Sequence, residues 1–181
     1  WVGENTKKGV QWRYFGSDGR YQKKGIGAYK VLADSNNYYL LDANGYLIKG
    51  KMVKAANKYY YMSNKNGVVY REKLVKYGKY RYYFTSDGRR ATWKKRWALC
   101  KGAGNRYYYF GKTAGRVQEI KGIQKVTVKG KFKGWFYFSK KGNMLLNTWV
   151  SGRYYKADGS MASGLTKIGS KYYFFQRSTQ K

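Results

Sequence analysis

Three times between Trp135 and Phe175 the chain writes a run of aromatic residues: W-F-Y-F at 135–138, R-Y-Y at 153–155 and Y-Y-F-F at 172–175. Twice the run is followed by a turn ending in glycine, by a methionine two residues on (Met144, Met161), and then by Trp149 or Leu165. An aromatic run, a glycine turn and a short second run predict a β-hairpin. Recurrence of that unit predicts a repeat protein.

The turn glycine supplies the register. It falls at Gly19, Gly45, Gly67, Gly88, Gly115, Gly142 and Gly159, after strands such as W-R-Y-F (12–15), Y-Y-Y-M (59–62) and Y-Y-Y-F (107–110). Turns written D-G and N-G accept the positive φ that tight hairpins need. The short segment after each glycine (R-Y-Q-K-K-G at 20–25, Y-L-I-K-G, V-V-Y-R and so on) is expected as the second strand. Connectors rich in Lys, Gly and Asn follow, the longest at 24–37 and 116–134, where K-V-T-V-K (Lys125 to Lys129) is expected as an inserted strand. No segment has a 3.6-residue apolar period, so little or no helix is expected. An isolated hairpin is marginal in water. Trp12 and Tyr14 lie on one face of their strand and Arg13 and Phe15 on the other, which requires burial against neighbouring hairpins. The expected fold is all-β: an elongated solenoid of about eight stacked hairpins, a single repeat array over residues 1–181. Trp1-Val2 matches the end of a repeat, so the chain reads as a fragment of a longer surface protein.

Composition narrows the chemistry. Hydrophobic residues are 43% of the chain yet mean hydropathy is −0.80, because 22 Tyr dominate the apolar share. Aromatics at 20% exclude a disordered chain. No apolar run reaches the roughly eighteen residues of a membrane span, so no membrane insertion is expected. Histidine is absent and cysteine occurs once, which removes the usual zinc sites and His-dependent nucleophilic catalysis. No metal or other cofactor is expected. Cys100 reads as a buried small hydrophobe, with a weak disulfide-linked dimer as the alternative. Of eight carboxylates, Asp18, Asp87 and Asp158 precede turn glycines and Asp42 opens a turn, while Glu4, Asp34, Glu72 and Glu119 are scattered. No pair has the arrangement of a glycosidase, and the chain is expected not to be an enzyme.

The run Trp149-Val150-Ser151-Gly152-Arg153-Tyr154-Tyr155-Lys156-Ala157-Asp158-Gly159-Ser160-Met161 resembles the choline-binding and glucan-binding repeats of Gram-positive surface proteins, written G-W-V-x-x-x-G-x-W-Y-Y-F-x-x-x-G-x-M. Leu165 to Phe174 resembles it too, and the likeness covers almost the whole chain, loosely between 90 and 134. The resemblance implies a hairpin solenoid, an extracellular, cell-wall-associated location, and ligands held in aromatic clefts between consecutive repeats. It places such clefts at Trp1 with Trp12 and at Trp149 with Tyr154, with Trp93 and Trp135 at or near equivalent positions. The sequence departs from the pattern at Ile26, Lys51, Ile123 and Leu165, where the Trp after the hairpin is missing, and at Arg81 and Arg153, where the first strand aromatic is replaced. Most junctions are therefore expected to lack a complete three-walled choline cage.

Charge completes the expectation. Lys and Arg number 39 against 8 Asp and Glu, a net charge of +31. A field of that strength favours polyanions. Basic residues sit beside the aromatics (Lys58 before Tyr59, Arg81 before Tyr82, Arg106 before Tyr107, Arg153 before Tyr154, Lys171 before Tyr172). Edge protection explains some of them, and packing between repeats explains most of the aromatics. Periodic pairs of ring and cation also suit a long polyanion held by many weak contacts. The expected function is anchoring to an anionic cell-wall polymer such as teichoic or lipoteichoic acid. The candidate ligand-binding residues are Trp1, Trp12, Trp93, Trp135, Trp149, Arg153, Tyr154 and Tyr172. A neutral α-glucan such as dextran, or choline, is the alternative; single-stranded nucleic acid is a distant third, since no nucleic-acid-binding module is written in the chain.

Overall fold

The computed structural model describes residues 1–15, 18–20, 29–31, 37–128 and 132–176. Eight two-stranded sheets run along it in chain order. They are β1 (Val2–Thr6) with β2 (Gly9–Arg13), β3 (Tyr29–Val31) with β4 (Tyr38–Leu40), β5 (Met52–Ala55) with β6 (Lys58–Tyr61), and β7 (Lys73–Tyr77) with β8 (Tyr80–Phe84). Then come β9 (Arg96–Cys100) with β10 (Arg106–Phe110), β11 (Gly122–Val128) with β12 (Phe132–Phe138), β13 (Thr148–Val150) with β14 (Arg153–Tyr155), and β15 (Gly164–Ile168) with β16 (Lys171–Phe175). The only helical element among the described residues is a 3-10 turn at Lys101–Ala103. The fold is an all-β solenoid of hairpin repeats.

One expectation needs correcting. The second strand of each hairpin precedes the aromatic strand; it does not follow the glycine turn. Met52 to Ala55 pairs with Tyr61 to Lys58, and Thr148 to Val150 with Tyr155 to Arg153. The tight turns are Ala56-Asn57 (φ 44° and 60°) and Ser151-Gly152 (φ 47° and 74°). Two successive positive φ values match the twist of a hairpin, and Ala56 and Ser151 give no sign of that in the sequence. K-V-T-V-K is likewise no insertion: Lys125 to Val128 belong to β11, the partner of β12. Lys129, the segment 21–25 expected as a second strand, Ile26 and Asp34 lie outside the described residues.

The segment after each glycine turn has a different task. It touches its own aromatic strand through one bridge, as in Met62↔Val69, Phe84↔Arg90, Phe110↔Val117, Phe138↔Met144 and Tyr155↔Met161. Its amide then donates to the preceding hairpin. The N–H groups of Leu47, Val69, Arg90, Met144 and Met161 bond the carbonyls of Trp12, Tyr38, Tyr59, Tyr107 and Trp135 at 2.7 to 3.3 Å. The next amide returns to its own aromatic strand, as from Ile48 to Leu40, Ala91 to Tyr83 and Ala162 to Tyr154, so each segment is shared between two repeats. The bond to the preceding hairpin is what joins hairpins into a stack. Side chains reinforce it: a Cβ on Gly67, Gly88 or Gly159 would lie within 3 Å of Leu47, Val69 or Met144, each the matching residue of the preceding repeat.

The chain divides into two compact units, one of Trp1–Thr92 with Cys100–Gly104 and Ala114–Arg116, the other of Trp93–Leu99, Asn105–Thr113 and Val117–Lys181. The first packs Leu40, Ile48, Ala55, Tyr60, Met62 and Val69 together. The second packs Val126, Phe136, Phe138 and Met144, and Trp97 stacks on Phe138 with ring centroids 4.5 Å apart. Strand alternation sorts the rings. Tyr60, Tyr108, Phe110, Phe136 and Phe138 are buried, whereas Tyr59, Tyr61, Tyr107, Tyr109, Trp135 and Tyr137 on the opposite face keep access to water. Cys100 is fully buried, and burial pushes its thiol up to about 12. The small-hydrophobe reading of Cys100 stands. A disulfide-linked dimer would first need this sulfur to become accessible.

Candidate binding site

The most open aromatic cluster is built around Trp149. The ladder sets Trp149 directly opposite Tyr154, with ring centroids 5.4 Å apart. From the next hairpin come Tyr173, edge-on at 5.3 Å, and Phe175 at 5.6 Å. Trp149 is 46% exposed and Tyr173 36%, so a corner of rings faces water. Sequence reasoning found Trp149 and Tyr154 but chose Tyr172 from the last strand. Alternation in β16 puts Tyr173 and Phe175 on the Trp149 side and Tyr172 with Phe174 on the other, where they are 65% and 75% exposed. The period of two was available in Y-Y-F-F and would have identified Tyr173 and Phe175. Arg153 sits beside the hairpin turn, opposite Val150 and half-buried.

The other candidates fall in separate settings. Trp1 packs against Tyr14 (5.4 Å) and Tyr39 (5.0 Å). Trp12 instead covers Gly3, its cross-strand partner, and has the Lys49 ammonium 5.8 Å above its ring. Trp135 lies opposite Lys125, whose ammonium is 5.9 Å from the ring centroid. Trp93 is half-buried, edge-on to Phe110 at 5.1 Å.

No protein-family model matches the sequence, and no curated protein matches it. Solved structures do match. Choline binding protein F of Streptococcus pneumoniae aligns with 89% of this chain at 22% identity and TM-score 0.51, and CbpJ of S. pneumoniae with 88% at 24% identity and TM-score 0.52. The modular autolysin LytC of S. pneumoniae, solved with a synthetic peptidoglycan ligand, aligns with 97% at 22% identity and TM-score 0.51. The fold is that of the choline-binding proteins. This chain spans 47%, 47% and 40% of those structures, less than half of each.

Along this fold several exposed or half-buried rings carry one of the protein's own cations. The Arg13 guanidinium lies 4.3 Å from the Tyr46 ring centroid, that of Arg71 5.2 Å from Tyr38, and Lys73 4.2 Å from Tyr70. The Arg90 guanidinium is 4.0 Å from Tyr59 and 5.4 Å from Tyr82, and that of Arg116 is 4.3 Å from Tyr80. Each such contact adds roughly 0.5–1 kcal/mol at an exposed ring. Among the described residues no cation lies over Trp149.

Four of the carboxylates take structural roles. Asp42 accepts from the amides of Asn44 and Tyr46, Asp87 from Arg89, and Asp158 from the amide and hydroxyl of Ser160. Glu4 meets Arg13 at 3.2 Å and the Tyr46 hydroxyl at 3.1 Å. Beside that network is a polar cavity of about 270 Å³ lined by Lys7, Lys8, Gln11, Asp42, Asn44 and Tyr46. Its lining suits hydrogen bonding more than ring stacking. Among the described residues no group of three metal-ligating side chains occurs, and no helix is long and apolar enough to cross a membrane.

Proposed function

We propose that this chain is a non-catalytic, extracellular anchoring module that holds an anionic polymer of the bacterial cell wall, of the teichoic or lipoteichoic acid class. The observation that carries the reading is the seating of Arg and Lys side chains on several accessible aromatic rings, in a chain of net charge +31. Rings so occupied have one face closed to a ligand cation, while the cations remain available to anions. Repetition converts weak single contacts into firm attachment. The likeness to structures named as choline-binding proteins and to an autolysin solved with a peptidoglycan ligand supports a wall polymer as partner.

The test is a pulldown with immobilised poly(glycerol phosphate), dextran and choline resin at 0.05 M and 0.5 M salt. Counterion release predicts that retention on the polyphosphate falls by at least about tenfold across that range. Equal retention at both salts, or stronger retention on dextran, would overturn the proposal.

A second reading is favoured by Trp149. Three rings gather round it without a cation of the protein's own, which suits a quaternary ammonium such as choline. The net charge opposes a free cation, but a phosphocholine group on a teichoic acid brings its own phosphate. Choline binding that persists at high salt and is lost in Trp149→Ala is the outcome this reading requires.

A further inference from the structure

Resting on the polyanion reading, we infer that Arg90 and Arg116 form a phosphodiester-binding site on a ladder of tyrosine rings. Arg90 occupies the spine position filled elsewhere by Leu47, Val69, Met144 and Met161, the residue two past the turn glycine whose amide bonds the preceding hairpin. At that position Val69 and Met144 are buried, so packing alone calls for an aliphatic side chain. The backbone of Arg90 is fixed by its 2.7 Å bond to the Tyr59 carbonyl. Its guanidinium leaves the spine and lies between Tyr59 and Tyr82, with one nitrogen 3.9 Å from the Met52 sulfur.

The next repeat supplies the second guanidinium. Arg116 is the bridge partner of Tyr82, and its guanidinium sits on Tyr80, whose ring meets Tyr82 edge-on at 6.5 Å. Tyr59, Arg90, Tyr82, Tyr80 and Arg116 are thus linked ring to cation to ring. Among the described residues neither arginine has a carboxylate partner. Two guanidinium groups without a carboxylate on one ladder leave their charge for an external anion to satisfy. A guanidinium held against a ring keeps N–H edges for bidentate contact with phosphate oxygens. The same guanidinium covers the Tyr59 face that a quaternary ammonium would need. The chemistry selected here is therefore a phosphate diester and not a choline head group.

The experiment is calorimetric titration of the whole chain with poly(glycerol phosphate) of about ten units, for wild type, Arg90→Met, Arg90→Lys, Arg116→Met and, as a general charge control, Lys65→Met. Met stands at the equivalent position of two other repeats, so Arg90→Met is expected to fold, checked by its unfolding midpoint. Arg90→Met and Arg116→Met are each expected to weaken binding about tenfold and to lower the salt slope by about one. Lys65→Met should change affinity less than about twofold, and Arg90→Lys should fall between, because it keeps the charge but loses the fork. The NMR signals of the Tyr59 and Tyr82 rings should move on titration in wild type and not in Arg90→Met. Equal losses in Arg90→Met and Lys65→Met would overturn the site while leaving polyanion binding intact. No binding by wild type would overturn both.

Discussion

A methyl group on Gly159 tests the stacking device where the turn glycine meets a buried side chain of the preceding repeat. Gly159 has φ +80°, and a Cβ there would overlap the Met144 sulfur and lie 3.0 Å from a Leu146 methyl. Met144 has no exposed surface and is packed among Val126, Phe136 and Phe138, with Leu146 against the same cluster. The sulfur has no empty space to move into. Gly152 is the matched control, with φ +74° and nothing within 4 Å of its would-be Cβ. Alanine at either site meets the left-handed backbone penalty, about 1 kcal/mol. Only Gly159→Ala adds overpacking of a filled core, about 2 kcal/mol. In urea, followed by tryptophan fluorescence, Gly159→Ala should unfold about 1 M earlier than Gly152→Ala. Coincident midpoints would mean that the turn glycine does not receive the preceding repeat's side chain, and the account of stacking would fail.

Tyr155→Phe should stabilise the protein by about 1 kcal/mol, since the buried Tyr155 hydroxyl has no hydrogen-bond partner among the described residues and Phe84, Phe110 and Phe138 hold the equivalent position; a lowered melting temperature would refute this. Asp158 is a pH probe: burial opposes its ionisation, but the hydrogen bonds from Ser160 and the charge of Lys156 hold its carboxyl below the usual value. A depressed folded pKa gives stability that is complete above the unfolded value, about 4, and lost as pH falls through the folded one. The drop in urea midpoint from pH 5 to pH 3 should therefore be smaller in Asp158→Asn, which keeps the turn acceptor, and an unchanged drop would count against the assignment. Trp149→Ala and Trp135→Ala should each weaken polymer retention several-fold, the loss of about 1 kcal/mol of ring contact, with the circular dichroism of the β fold unchanged; unaltered retention in both would move the ligand elsewhere.

The repeat, its hairpins and the role of the aspartates were legible because each is written in local chemistry. Asp-Gly turns and aromatic runs need no tertiary information, and Asp42, Asp87 and Asp158 behave as turn acceptors. Pairing direction was not legible. The segment after each glycine looks like a strand, yet one of its amides serves the preceding hairpin and only the next its own, and that choice depends on the preceding repeat. Positive φ at Ala56 and Ser151 hid the true hairpin turns. At the candidate site, Trp149 and Tyr154 were named from the family resemblance, and the structure sets them opposite each other across the Ser151-Gly152 turn. Tyr173 and Phe175 were missed because the aromatic pair was read as a unit instead of as alternating faces. Trp93 was grouped with the open rings, although its edge rests on Phe110, since sequence alone does not distinguish a packing tryptophan from a presenting one.

Occupied and bare rings give this chain two kinds of contact, and their order along it follows from single residues. Where an arginine takes the aliphatic spine position, as at Arg90, a guanidinium covers a tyrosine face, and on the function proposed above the junction favours an anion. Where rings meet without such a residue, as at Trp149 with Tyr154, Tyr173 and Phe175, the aromatic faces stay free for a sugar ring or a quaternary ammonium. A polymer alternating phosphate with an apolar or cationic substituent could engage both kinds. Salt would then weaken only the first, because exposed charges are screened within about 10 Å at 0.1 M while stacking is not. Residual binding at high salt should accordingly map to Trp149, and the salt-sensitive remainder to Arg90 and Arg116. A residual fraction that disappears with Arg90 instead would show that the two kinds of junction do not act separately.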